Sequence, residues 1–414
     1  MEKEEKKLSF VIVGHVDHGK STLIGRLLFD TDSLPPDKIK EIEETSKELG
    51  REVEFSFLLD HLEEERKQGI TIDTTQTFFK TEKRDYVIID APGHVEFVKN
   101  MVTGSSQAEA GILIIDVTEG LKEQSRRHAY ILSLLGISQV AVALNKMDIV
   151  QFNYEKYEEI KKETEEFLKT IGIKAISYIP ISALKGDNVA KRSEKMDWYK
   201  GPTVIESLDS FKNIEFSKIE TLVLPIQDVY KIGSKRIIVG RIETGELKKG
   251  DEIEVLPTKE KSYVNTIEKF PKEVEIATFQ ESIGLTLKSP LFVERGMVIC
   301  HPSQKPKQSD TFNATIIWMD KTPFNKSENL TLKCTTQKTI CRIEKIHKRI
   351  NSSTLEVIEE NADKLENLEV GEVEIKTKKP IVIEKFNTIP ELGRFVLVRE
   401  NICAGGLITD INGE

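Results

Sequence analysis

The residues best placed to do chemistry come early, in Gly14-His15-Val16-Asp17-His18-Gly19-Lys20-Ser21, which satisfies the spacing G-x-x-x-x-G-K-[ST]. Glycine at both ends lets the backbone turn until successive N–H groups face inward onto phosphate oxygens. Lys20 then reaches the β- and γ-phosphates and Ser21 ligates Mg²⁺, with Thr22 beside it. The N-terminus of the helix that follows adds its partial positive charge. His15, Val16, Asp17 and His18 complete the cradle.

Three further motifs supply matching parts. Asp90 to Gly93 (DAPG) follows the apolar run YVIID, so Asp90 holds Mg²⁺ and the Gly93 N–H donates to the γ-phosphate. Asn145, Lys146 and Asp148 belong to NKMD after VAVAL, where a carboxylate accepts from the N1–H and amine of guanine, donors that adenine lacks. Ser182, Ala183 and Leu184 end the next run and offer N–H groups to the guanine carbonyl. A single N-K-x-D is more often a surface turn, but in this order, each at a strand end, the set points to GTP or GDP with Mg²⁺.

Two residues bear on hydrolysis. Thr71, in QGITID, can place its hydroxyl on Mg²⁺ when a γ-phosphate is present, which makes residues 33–75 a candidate switch. His94 follows DAPG, close to the place of the attacking water, and phosphoryl transfer asks mainly for positioning and charge stabilisation. The bland alternative for His94 is a residue that begins a helix. The expected catalytic set is Lys20, Thr71 and His94, and the expected Mg²⁺ set is Ser21, Thr71 and Asp90.

The elements that must position these residues are legible too. Up to residue 210, near-continuous apolar runs alternate with amphipathic segments such as YEKYEEIKKETEEFLKTIG, the pattern of a mostly parallel sheet with helices on both faces. After that the chain turns to short alternating strands with glycine turns, which read as two all-β barrels. The expected domains are 1–210 (GTP-binding α/β), 215–303 and 306–414 (β-barrels). At 414 residues, with 31% charged residues and a net charge of -9, the chain is an ordinary multidomain protein with no bias towards nucleic-acid phosphate. Four cysteines without paired ligand spacing argue against zinc and for reduced thiols, and no apolar run suits a membrane, so a soluble cytoplasmic protein is expected.

GHVDHGKST, GITID, DAPGH, NKMD and SAL, in order and followed by two barrels, resemble the translation-factor-type GTPase family over essentially the whole chain. The resemblance implies that Val16 and Ile70 flank the catalytic water, against a reading as simple packing, and that Asp17 holds a monovalent cation. Two branches of the family compete. Gln68 and Gly69 before the switch threonine, FNATIIWMDKTPF, INSSTLE and GRFVLVRENICAGGLI resemble the large GTPase subunit of ATP sulfurylase (sulfate adenylyltransferase). That branch implies a separate small catalytic subunit, in a heterodimer or higher assembly, in which GTP hydrolysis drives formation of adenylyl sulfate. His15, His18 and LPIQDVYKIG are instead spelled as in elongation factor 1-alpha or Tu, whose partners are aminoacyl-tRNA and the ribosome. The sulfurylase branch is the expectation and the elongation factor its alternative. A nucleotide-gated binding module of another class would need a long recruiting segment, for which the chain leaves no room.

Overall fold

Leu8–Gly14 (β1) is apolar at almost every position and buried almost throughout, as a strand covered on both faces must be. Around it, the computed structural model describes residues 7–34, 75–90, 108–212, 219–233, 235–269, 272–326 and 328–411. Contacts divide the chain into two units that part after Asn213.

In the first unit Thr75–Lys80 (β2), Asp85–Asp90 (β3), Ala110–Asp116 (β4), Val140–Asn145 (β5) and Ser177–Pro180 (β6) join β1 in one sheet of order β2-β3-β1-β4-β5-β6. All neighbours are parallel except β2, which pairs antiparallel with β3 at the edge. The chain winds to one side of β1 through β3 and to the other through β4, so the order reverses at β1. Ligands of open α/β sheets collect at the carboxyl ends of strands beside such a reversal. Gly14, Asp90, Asp116 and Asn145 all stand at carboxyl ends on that edge.

Among the described residues of this unit the α-helices are Lys20–Asp30 (α1), Glu123–Leu134 (α2), Tyr154–Thr170 (α3) and Val204–Ser210 (α4). In α3, Tyr157, Ile160, Thr164, Phe167 and Leu168 recur at helical spacing and are the buried face. Asn153 caps its start by accepting from the Lys156 N–H at 2.8 Å. Thr203 and Glu206 form a reciprocal capping box on α4. No helix among the described residues is long and apolar enough to cross a membrane.

In the second unit a seven-stranded sheet curls until Glu252–Leu256 pairs with Glu260–Lys269, closing a barrel. A second seven-stranded sheet closes where Leu330–Cys334 pairs with Gln337–Asn351. Alternation drives both: along Lys307–Trp318, Phe312, Ala314, Ile316 and Trp318 point inward at every second position. An α/β domain followed by two β-barrels is therefore the fold class, as the sequence leads one to expect. The four cysteines are buried thiols, and burial pushes Cys334 up to about 12.

The barrels meet through an apolar seam of Val223, Leu256, Val298 and Cys300 against Val382, Ile389 and Leu392. Beside it lies Glu391, 5% exposed, with Arg394 on its own barrel and Glu243 and Arg241 across the joint. Burial raises its carboxyl above the ordinary range even though Arg394 opposes the shift. The protonated form thus belongs to the fold: its contribution is fully present below an unfolded value near ~4.3 and is lost as pH rises through the folded value. Glu391→Gln, which stays neutral, is expected to raise the melting temperature at about pH 8 and to leave it unchanged at about pH 4. Equal melting curves at both values, followed by circular dichroism, would refute this.

Candidate functional site

Tight packing shapes the loop after β1. A Cβ on Gly14 would lie 2.3 Å from the Ile114 carbonyl oxygen, and one on Gly19 2.4 Å from Asn145 Nδ2. Gly19 also takes φ 93°, a conformation that glycine adopts freely. Asp17 turns the loop at φ 62°, and its side chain is exposed. The His15 and Val16 N–H groups donate to Ser125 Oγ (3.2 Å) and Gln124 Oε1 (3.3 Å) at the start of α2. These two anchors lie more than a hundred residues away, and no local sequence signal marks them.

Lys20 Nζ donates to the carbonyls of Gly14 (2.9 Å) and His15 (2.7 Å), bridging the loop from within. Ser21 is exposed in the first turn of α1 and Thr22 is half-buried. No side chain among the described residues caps α1, so its first N–H groups point towards the loop that precedes them. Val16 is 57% exposed at the loop's crest.

His18 turns its side chain inward. Its ring is fully buried under the loop, where Nδ1 accepts from the Asp116 N–H at 3.2 Å and Nε2 faces Glu119 Oε2 at 3.8 Å. Burial lowers its pKa below the usual imidazole range. Its contribution to a ligand is left to the main chain.

Asn145 also turns inward. At 3% exposure, its Nδ2 donates to the His18 carbonyl (2.8 Å) and its Oδ1 accepts from the Ala183 N–H (2.9 Å). It is a strut that fixes the phosphate loop against the Ser182–Leu184 loop. Ser182 and Ala183 are buried, with Ser182 Oγ accepting from the Lys185 N–H (3.2 Å), while Leu184 is partly exposed. Met147 is buried and its N–H donates to the Ile181 carbonyl (3.1 Å), which leaves Lys146 and half-buried Asp148 on the outer side.

One partnership has no counterpart in the motifs. Lys146 Nζ stands 2.6 Å from Asp116 Oδ2, and Asp116 Oδ1 accepts from the Thr118 N–H (2.8 Å) and hydroxyl (2.7 Å). Burial alone would raise the Asp116 carboxyl, but Lys146 and Thr118 outweigh it and hold it below the usual carboxylate range. The only sequence signal for this role is its place at the end of GILIID.

Asp90 ends β3 on the same edge as Gly14. Thr71, Gly93, His94 and Ile70 lie outside the described residues.

A glycine loop running from a parallel strand into a helix, tied by an asparagine strut to an N-K-x-D loop, defines a P-loop GTPase domain, here with two barrels following it. Comparison with known proteins agrees. Residues 5–226 match the Elongation factor Tu GTP binding domain, 235–300 the Elongation factor Tu domain 2, and 311–409 the GTP-eEF1A C-terminal domain-like family. Elongation factor 1-alpha of Methanopyrus kandleri is 40% identical, over 98% of each chain. That of Pyrococcus furiosus is 39% identical over 100% of both. The chain is also similar to the crystal structure of sup35 complexed with GDP, over 99% of this chain and 95% of that one, at 25% identity and a TM-score of 0.46. The chain belongs to the translation-factor GTPase family of elongation factors Tu and 1-alpha.

Full-length identity to elongation factor 1-alpha corrects the expected branch: neither a sulfate adenylyltransferase function nor a sulfurylase catalytic subunit as partner stands. The reason lies in what carried that resemblance. In FNATIIWMDKTPF and GRFVLVRENICAGGLI, Phe312, Ile316, Trp318, Phe395, Leu397 and Cys403 fill the core of the last barrel. In INSSTLE, Ser352 and Ser353 are buried. Such positions answer to packing and say little about partners.

Proposed function

We propose that this chain is an elongation factor of the 1-alpha type, a cytoplasmic GTPase that carries aminoacyl-tRNA to the ribosome and releases it on hydrolysis. The carrying observation is the identity to proteins of that name over the full length of both chains. The phosphate-loop geometry supports the nucleotide half of the reading.

In this reading the main-chain N–H groups from Asp17 to Thr22 and the Lys20 ammonium take the phosphates, and Asp148 reads the guanine edge. Ala183 and Leu184 border the base from the neighbouring loop. The Ser21 hydroxyl, exposed in the first turn of α1, and the carboxylate of Asp90, the last residue of β3, supply hard oxygen donors of the kind that suits Mg²⁺. Thr71 completes that set in the triphosphate state. Bound there, Mg²⁺ would neutralise charge on the β- and γ-phosphates. His94 orients the attacking water, with Val16 and Ile70 beside it and Gly93 donating to the γ-phosphate.

Asp148→Asn is expected to shift preference from guanine to xanthine nucleotides, since an amide donates where xanthine carries its C2 carbonyl. Competition binding with GDP and XDP measures it; unchanged selectivity would remove Asp148 from base recognition. The function itself is tested by GTP hydrolysis of the purified chain with and without programmed ribosomes and aminoacyl-tRNA. Strong stimulation by the two together is expected, and a rate indifferent to both would overturn the proposal.

A further inference from the structure

We propose that Asp116 is a positioning residue for the nucleotide base, acting through Lys146. This deepens the guanine-site reading above and rests on it. Alternation along Asn145–Asp148 sends Asn145 and Met147 into the protein and leaves Lys146 and Asp148 on the outer side. Lys146 sits at φ 66°, a left-handed conformation that a lysine keeps only where its surroundings hold it.

Asp116 is that holder. Asp116 and Asn145 are paired across β4 and β5 at their carboxyl ends, so the Lys146 stem crosses from one strand end towards the other. The carboxylate is 1% exposed, and its second oxygen is fixed by both donors of Thr118. It therefore fixes the ammonium at one point instead of following it. The Asp116 N–H meets His18 Nδ1 under the phosphate loop, so one residue references the base loop to the phosphate loop.

The consequence is a ledge beside Asp148. With the ammonium neutralised at its far end, the four-carbon stem presents apolar surface on which the flat face of a purine can lie while Asp148 takes its edge. A free lysine would lose rotamer freedom when the nucleotide ordered it; a lysine already pinned loses little, and that difference appears as affinity.

The test is equilibrium titration of the full chain with a fluorescent methylanthraniloyl-GDP. Asp116→Ala is expected to weaken binding roughly fivefold to tenfold. Lys146→Met keeps the stem and drops the ammonium, and in that background Asp116→Ala is expected to change affinity by less than about twofold. An equal loss in both backgrounds would mean that Asp116 acts on the loop's fold and not through Lys146, and would overturn the proposal. Asp116→Asn keeps an acceptor for Thr118 but turns an amide towards Lys146; it carries the same cycle if the alanine variant fails to fold. A wild-type chain that takes up no GDP would sink the guanine site itself, before any variant is compared.

Discussion

Lys20→Ala is expected to lose guanine nucleotide almost entirely, with affinity for GDP falling at least about a hundredfold, or roughly 3 kcal/mol. Among the described loop residues, Lys20 brings a full positive charge onto the Gly14 and His15 carbonyls at the centre of the cradle. A phosphate chain without that ammonium keeps the main-chain N–H groups but must leave water with less compensation. The loop itself should survive, because Gly19 remains seated against Asn145 and the His15 and Val16 N–H groups remain held by Ser125 and Gln124. Calorimetric titration with GDP, beside a melting curve without nucleotide, separates the two effects. A folded variant that binds GDP as the wild type does would contradict the phosphate-cradle reading.

His94→Ala is expected to do the reverse, leaving nucleotide affinity near normal while slowing hydrolysis. If His94 positions the attacking water, its loss should raise the barrier by roughly 2–4 kcal/mol, the scale seen when one preorganised transition-state donor is removed. Single-turnover hydrolysis measured with saturating ribosomes checks it, since intrinsic rates of such sites are slow. The pair of variants is informative together: one should remove binding, the other chemistry. A His94→Ala chain as active as the wild type would leave His94 as the residue that merely begins a helix.

Much of this site is legible in the sequence because its chemistry is local. A phosphate loop needs glycines at fixed offsets and a lysine after the second; a guanine reader needs a carboxylate just past a strand end. The buried strands are equally plain, since β4 and β5 are apolar along almost their whole length. The edge strand Thr75–Lys80 is less plain: its apolar residues Phe78 and Phe79 are adjacent, and Phe78 is exposed while Phe79 is buried. The family branch was misleading for a related reason. Segments that fill a barrel core repeat apolar alternation, which specifies packing and not a partner.

By itself, then, the sequence determined the α/β-then-barrels order and the GTPase class, and it marked the candidate phosphate and base loops. Each follows from residue types within a few positions of one another. Only the tertiary structure decided that Asn145 is a strut, that His18 is buried beneath the loop and that Asp116 holds Lys146. Those contacts join residues 127 and 98 apart in the chain in the first two cases, and neighbouring strand ends in the third. No spacing rule encodes them, because they exist only once the parallel sheet has brought its carboxyl ends to one edge.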